Sequence, residues 1–572
     1  MNLPSPGSLR GFVALAVVVG TFLWAAIKIV MYRAEETPAD TITLRICHWQ
    51  LETGVRDGLD QMAKEYQKVN PKVRVVQEAI PEGTYGQWVS TQLMGGTAPD
   101  IIEVGHGCLP NNVWLAYYNR YFVPLTRYVN RPNPYNKGTD LEHVPLRLTV
   151  YDGMRSSYVD ELQEYMSITL SQFGVRVFYN KTLLKKLTGL DQAPTNYREF
   201  LAACKKIKSQ KDPTGKYYTP IASSKYNFGP WEGYLIDLVT YPIIQKADFN
   251  RDGGVGNDET FVGFRTGRLD MNQPGYRARF KLMREINDFF QPGWTGLGRD
   301  EAVFLFAQQR AVFITTGTWD AMSLKEQAEG SFEVGVMEFP IPTPDDPEYG
   351  SLVAGPIYEK PTVGFPFALT RTSKHPEVAL DFLLFLAGRK QNEQFNKIIG
   401  WIPGTRGAKV DPFLEAFKPH LDGVYPGFSS GAFNLGGETW IKWLQEYTLY
   451  QVGTSTYEQM VANFIPYYLK NGLKDFLEQQ REWRRGILRN EQLLADIRAK
   501  ALIASGDRAV SEWIRYATLK EGRQIKPEVQ HYQQMLFIQK ATVPGNVGPY
   551  EYSETVLEKV RQRVKSATAK AI

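Results

Sequence analysis

Cysteine is scarce in this 572-residue chain: Cys47, Cys108 and Cys204 are all it has, and no two of them form a CxxC pair. So sparse and odd a set argues against a disulfide-stapled scaffold and leaves the compartment open. Net charge is small as well. The 66 Lys and Arg face 61 Asp and Glu, giving +5 at pH 7, so composition offers a nucleic-acid binder no support. Signatures of catalysis are missing: there is no G-x-S-x-G, no H-E-x-x-H, no phosphate-binding loop and no G-x-G-x-x-G after a strand. No fixed-period repeat or low-complexity tract occurs.

Apolar and aromatic residues are abundant. At 43% hydrophobic, a chain this long holds more than one core, and two or three domains are expected. Aromatics make up 13%, with 12 Trp and 31 Tyr; most belong in cores, but the surplus suits a surface that stacks on planar or sugar-like ligands. Gly11 to Ile27 is an uncharged, largely apolar run, extended past Lys28 by Ile29-Val30-Met31-Tyr32. With Lys28 snorkelling toward headgroups, it approaches the ~20 residues a bilayer needs. Arg10 precedes the run, and Lys28 and Arg33 follow, so the flanks do not fix its orientation. Thr37-Pro38-Ala39 is a poor cleavage site, and no cysteine stands where a lipid anchor would need one. The expectation is an uncleaved transmembrane anchor over residues 1–33 and a linker over 34–40. The bulk of the chain would then lie outside the cytoplasm, tethered to the cell membrane.

Beyond the linker, Thr41 to Trp49 alternates as a strand, with Ile42, Leu44 and Ile46 on one face. Arg56 to Val69 has helical spacing, Val73 to Val76 starts a second strand, Trp88 to Met94 reads as a short helix, and Asp100 to Val104 as a third strand. That alternation points to a parallel sheet covered by helices, an α/β fold. The pattern recurs with a strand at Gly174 to Tyr179, helices at Lys181 to Leu187 and Asn196 to Ser209, and strands at Ala311 to Thr315 and Val363 to Leu369. After Trp440 the chain reads as almost continuous helix.

Five segments, in order, resemble the family-1 extracellular solute-binding proteins of ATP-driven importers, the group that includes maltose-binding proteins. They are NPKVRVV (Asn70 to Val76), GGTAPDIIEVG (Gly95 to Gly105), VFYNKTLLKKLTGLDQAPTNYREFLAACKKI (Val177 to Ile207), RAVFITTGTWD (Arg310 to Asp320), and GFPFALTRTSKHPEVALDFLLFLAG with GWIPGTR (Gly364 to Arg406). The resemblance covers about residues 41–470 and implies two α/β lobes of discontinuous chain that close about a hinge over a small polar ligand, as in type II periplasmic binding proteins. It implies delivery of that ligand to an ABC permease and no catalysis. The expected division is lobe 1 at about 41–165 and 305–365, lobe 2 at about 170–300 and 366–470, and a helical extension at 471–572.

Ligands of open α/β sheets sit outside the carboxyl ends of the strands. That rule selects His48, Trp49, Gln50 and Glu52 after the first strand, Glu103 and His106 at the third, and Thr316, Trp319 and Asp320 after the strand at Ala311. A sugar needs an aromatic plate for its C–H face and carboxylates or amides to accept its hydroxyl protons. Trp49 and Trp319 are the candidate plates, and Glu103 and Asp320 the candidate acceptors. Trp231 and Trp401 are second-lobe candidates, and Tyr85 a further one. For each tryptophan the alternative is plain core cover at a lobe edge. Two other functions stay open: a glycoside-active enzyme using Glu103 and Asp320 as its carboxylate pair, and a tethered envelope protein that recognises another protein. Zinc at Cys47, His48, His106 and Cys108 is disfavoured, because neighbours on a strand point to opposite faces.

Residues 248–259 fit the twelve-residue calcium loop D-x-[DN]-x-[DN]-G-x₅-E at each of its positions. Asp248, Asn250 and Asp252 supply side-chain oxygens, Gly254 a backbone carbonyl, and Glu259 two oxygens, with Val255 pinning the loop to its lobe. Thr260 to Gly263 does not read as an exit helix, so a lone structural Ca²⁺ loop is expected; a solvated Asp/Asn/Gly turn is the alternative. The extension from Asn471 holds 18 Lys and Arg against 12 Asp and Glu, including the run Arg481, Arg484, Arg485 and Arg489. Such a run is ordinarily a solvated helix face, though it could also meet lipid or a transporter subunit.

Overall fold

The computed structural model describes residues 19–24, 41–51, 54–105, 114–160, 162–249, 254–353, 355–423, 432–541 and 562. Most of the apolar run near the N-terminus therefore lies outside the described residues; Val19 to Trp24 within it is helical and exposed. Among the described residues no helix is long and apolar enough to cross a membrane.

Among the described residues, twelve strands form the sheets: β1 (Ile42–His48), β2 (Val73–Ala79), β3 (Ile101–Glu103), β4 (Tyr158–Val159), β5 (Glu164–Tyr165), β6 (Ile168–Phe173), β7 (Val175–Asn180), β8 (Thr219–Ala222), β9 (Ala311–Gly317), β10 (Val334–Met337), β11 (Thr362–Leu369) and β12 (Ile402–Pro403). One six-stranded sheet runs in the order β12-β6-β11-β3-β1-β2, and a four-stranded sheet in the order β10-β7-β9-β8. β4 and β5 form a separate two-stranded ribbon. Within the larger sheet β1 pairs in parallel with both β2 and β3, as the alternating strands and helices imply. β11 then closes on β3 and β6 antiparallel.

This pairing corrects the expected lobe division. β9 bonds to β7 antiparallel and to β8 in parallel, so residues 311–317 belong to the second lobe and not the first. Residues 366–403, expected in the second lobe, instead supply most of β11, β12 and two helices, Pro376–Leu386 and Arg389–Ile399, to the first. Non-local pairing decides both, and strand pattern carries no information on partner choice. The boundary at 470 is corrected too. A single helix, Tyr457–Ile503, runs through it, and residues 432–476 share one core cluster with second-lobe residues 243–280.

Local chemistry explains the regular pieces. Asn180 and Asn196 cap the helices Lys181–Thr188 and Tyr197–Lys208 by accepting the backbone N–H of Leu183 and Glu199 at 2.8 and 3.0 Å. The first of these ends at Gly189 in the left-handed region. Leu59, Met62 and Tyr66 bury the apolar stripe of the helix Val55–Val69 under the first sheet, beside Phe382 and Phe385. The lobes join where β6 passes into β7 through Gly174. A Cβ there would come within 2.7 Å of the Phe417 carbonyl, so only glycine permits this crossing. Next to it Arg176, almost wholly buried, pairs with Glu359 at 2.8 and 3.0 Å and with Glu338 at 2.9 Å.

Candidate ligand-binding cleft

A cavity of about 890 Å³ lies between the lobes, lined by Trp49, Glu82 and Tyr85 from the first and by Tyr226, Arg299, Asp300, Glu301 and Trp319 from the second. Trp49 follows β1, and Trp319 sits in the first turn of the helix Thr318–Ala328 that follows β9. Both stand at the carboxyl ends of their strands. Each ring lies against a glycine. A Cβ on Gly105 would come within 2.3 Å of the Trp49 ring, and one on Gly317 within 2.3 Å of the Trp319 ring. The two plates thus share one device: a glycine at a strand end provides the flat seat that any side chain would obstruct.

Behind Trp49 stands Glu103, wholly buried. Its carboxylate accepts the Trp49 backbone N–H at 3.1 Å and the Gln50 side-chain N–H at 2.6 Å. The Tyr85 hydroxyl donates to the Glu103 carbonyl at 2.8 Å, and its ring meets Trp49 edge-on at 5.0 Å. Glu103 is therefore an internal brace and not a member of the cavity lining. Asp320 is also buried, and accepts the Thr316 hydroxyl at 2.6 Å. Burial pushes its carboxyl up from the ordinary range, against the opposing charge of Arg299 and the Thr316 hydrogen bond. With both carboxylates committed below the surface, the glycosidase pairing loses its geometric support.

The remaining sequence candidates divide. His48 is fully buried, with Nε2 3.0 Å from the Gln77 side chain, and burial lowers its pKa. Cys47 faces the opposite cluster beside Tyr85, its thiol pushed up to about 12 by burial, as expected for neighbours on a strand. Trp231 and Trp401 do not reach the cavity. Trp231 fills the second-lobe core between Phe200 and Phe339, and Trp401 the first-lobe core against Phe173 and Phe365. Each lies in a Gly/Pro-rich context that reads as exposed loop but folds inward; Trp231 opens the helix Gly229–Ala247. Trp401 also belongs to the first lobe and not the second. Glu52 and His106 lie outside the described residues.

Glu82, Tyr226, Arg299, Asp300 and Glu301 escaped the sequence reading. Glu82 and Tyr85 occupy the first turn of the helix Glu82–Gly95, where a loop and a shorter helix were expected. Tyr226 follows β8, a four-residue strand too short to announce itself by pattern; had it been recognised, the strand-end rule would have found Tyr226. The three charged residues form the N-terminal turn of the helix Arg299–Ala307.

At the calcium-loop sequence, Asn250 and Asp252 lie outside the described residues. Glu259 is buried, its carboxylate accepting the N–H groups of Phe249 and Gly256 at 2.9 Å each. Val255 is buried in the lobe's core, as expected. Asn257–Arg265 is a helix, contrary to expectation, because Glu259 at its third position reaches back to the cap and offsets a weak local pattern. Elsewhere among the described residues, Glu338, Glu359 and His420 converge closely enough to suggest a metal, but Arg176 occupies their midst and supplies the positive charge.

Comparison with known proteins bears on the family and the fold. The profile of the bacterial extracellular solute-binding protein family matches residues 52–393. The multiple sugar-binding protein of Streptococcus mutans is 21% identical over 395 residues, covering 66% of this chain and 79% of that one. An uncharacterised ABC transporter extracellular-binding protein of Pyrococcus horikoshii is 21% identical over 426 residues, covering 71% and 82%. Among solved structures, the GacH receptor of Streptomyces glaucescens matches with a TM-score of 0.50 at 15% identity, covering 76% of this chain and 99% of that one. That likeness supports the two-lobed fold.

Proposed function

Because the chain belongs to the bacterial extracellular solute-binding protein family, we propose that it captures a saccharide between Trp49 and Trp319 and passes it unchanged to an ABC permease. The observation that carries this reading is the paired plates: two tryptophans, one following a strand of each sheet, line one cavity and rest on strand-end glycines. An aromatic face takes the C–H side of a pyranose, while Glu82, Asp300, Glu301 and Arg299 are placed to bond its hydroxyls. Closure follows from the ligand's greater affinity for the closed state. The sugar-binding name of the streptococcal relative supports the ligand class. To test this, the protein is screened by thermal shift against mono- and oligosaccharides, amino acids and polyols, and any stabilising sugar is followed by mass spectrometry. A saccharide that raises the melting point and is recovered intact supports the reading; its catalytic loss, or stabilisation by amino acids alone, contradicts it.

Two further features belong to the same proposal. The apolar run at Gly11 to Ile27 tethers the chain to the membrane by one uncleaved span, which keeps the receptor near its permease; a mature N-terminus near residue 40 would exclude that. The loop at 248–259 takes one structural Ca²⁺, a reading supported by the spacing of Asp248, Asn250, Asp252, Gly254 and Glu259. Glu259 must surrender its two backbone N–H partners to serve as a ligand, so binding is expected to be weak. Calorimetry on chelator-treated protein is expected to register one Ca²⁺, lost in Asp248→Ala/Glu259→Ala.

A further inference from the structure

The chain beyond the two lobes goes out and comes back. The helix Tyr457–Ile503 leaves the second lobe, and residues 506–541 return alongside it as a helix with one wide turn at Glu521–Ile525. At the second lobe its hold is deep. Phe433, Trp443, Phe464 and Tyr468 interleave with Phe261, Phe264, Tyr276 and Phe280 in one buried cluster. Phe537 from the returning helix meets Phe249 there at 5.5 Å. Gly472 lets the long helix approach so closely that a Cβ would come within 2.7 Å of the Phe261 ring.

From Phe476, the last residue of that cluster on the long helix, to Leu493 the helix rises about 25 Å. Leu493 touches the first lobe, packing against the cluster that holds Tyr85, Val89 and Phe122. This second hold is shallow. Arg515 on the returning helix reaches Asn119 of the first lobe at 3.5 Å, the limit of a hydrogen bond. Glu512 Oε2 and Arg515 Nε are shut off from water with no partner. Burial lowers the pKa of Arg371, just past β11, and the like charge of Arg515 adds to this while Glu164 opposes it. Among the described residues, a leucine, one long bond and two uncompensated polar atoms make a contact that gives way at little cost.

The structure assigns the C-terminal hairpin of helices a mechanical role: a strut rooted in the second lobe and latched on the first, which holds the cleft open until ligand closure breaks the latch. The cavity between the lobes reaches solvent in this arrangement, with Tyr226 at its lip 64% exposed. Rotation of the first lobe about Gly174 carries Asn119 and the Leu493 seat past a strut that cannot follow. Free energy held in the latch therefore opposes closure, and the apparent affinity is reduced by the fraction of molecules kept open. The regulatory consequence for affinity rests on the saccharide-capture reading; the control of lobe separation does not.

Two readouts separate those claims. Spin labels at the exposed positions Lys64→Cys and Lys205→Cys, one per lobe, report lobe separation in the unliganded full chain by double electron–electron resonance. Cys47 and Cys204 are buried and stay unlabelled, and Cys108 is replaced by Ser. Leu493→Ala is expected to shift the distance distribution toward shorter values, as is Asn119→Ala, which leaves the strut itself untouched. Calorimetry with the sugar identified by thermal shift is then expected to show affinity raised about three- to tenfold in the same variants. A distance distribution unchanged in both variants overturns the strut, whatever the ligand proves to be. A shifted distribution with no sugar bound by any variant upholds the strut and removes the saccharide reading.

Discussion

Trp49 and Trp319 rest on the same kind of seat, but the two lobes support them differently. On the first lobe the ring is fixed from behind: Glu103 holds the Trp49 backbone and the Gln50 side chain, and Tyr85 braces the ring edge. Trp319 instead rides in the first turn of the helix that follows β9, its ring against Phe173 of the first lobe, and the buried Asp320 beside it accepts the Thr316 hydroxyl. The charged groups that line the cavity are also unevenly shared, Glu82 from the first lobe against Arg299, Asp300 and Glu301 from the second. The difference assigns work. A wall fixed by a buried carboxylate presents a shape to the ligand, whereas a wall of charged side chains at a helix start supplies hydrogen bonds that adjust to hydroxyl positions.

The comparison breaks most readily at Glu103. Glu103→Leu leaves the Trp49 and Gln50 donors buried and unpaired, and is expected to destabilise the protein by about 2–4 kcal/mol by chemical denaturation. Asp320→Leu, with one side-chain partner stranded, is expected to cost less, about 1–2 kcal/mol. Equal costs would mean that the lobes are braced alike.

The seats come next. Gly105→Ala and Gly317→Ala each drive a methyl into an indole ring, and each is expected to weaken sugar binding about tenfold, measured by calorimetry. Gly105→Ala is expected to lower stability more, because Trp49 is tied in place and cannot tip away freely. Asp300→Asn and Glu301→Gln should have the smallest effect, about two- to fivefold in affinity. They are expected to change the ranking of sugars more than the melting temperature.

Much of this cleft was legible before any coordinates. Strand alternation at Ile42, Leu44 and Ile46, the strand at Ala311 and the strand-end rule were enough to select Trp49 and Trp319. Trp231 and Trp401, chosen without a preceding strand, fell outside the cavity, since Gly-Pro-Trp and Gly-Trp-Ile-Pro carry turn chemistry whether the ring then points outward or inward. The rule misjudged Glu103 and Asp320, which stand at the expected places but are taken by internal hydrogen bonds, a property of geometry that spacing does not encode. Tyr226 was missed because β8 has only four residues. Lobe membership of β9 and β11 was not legible, as each pairs with strands far away in sequence. The out-and-back path of the C-terminal helices was hidden for the same reason: helical periodicity shows that a face is apolar and not which lobe receives it.

The most direct test of the account is substitution of the two plates, singly and together. Wild type, Trp49→Ala, Trp319→Ala and the double variant are titrated calorimetrically with the same oligosaccharide, with circular dichroism confirming that each keeps its fold. Each single variant is expected to lose about 2 kcal/mol of binding, roughly thirtyfold in affinity, and the double variant to bind too weakly to measure. Affinity unchanged in both single variants would mean that the ligand does not sit between Trp49 and Trp319, and the account of this cleft would be wrong.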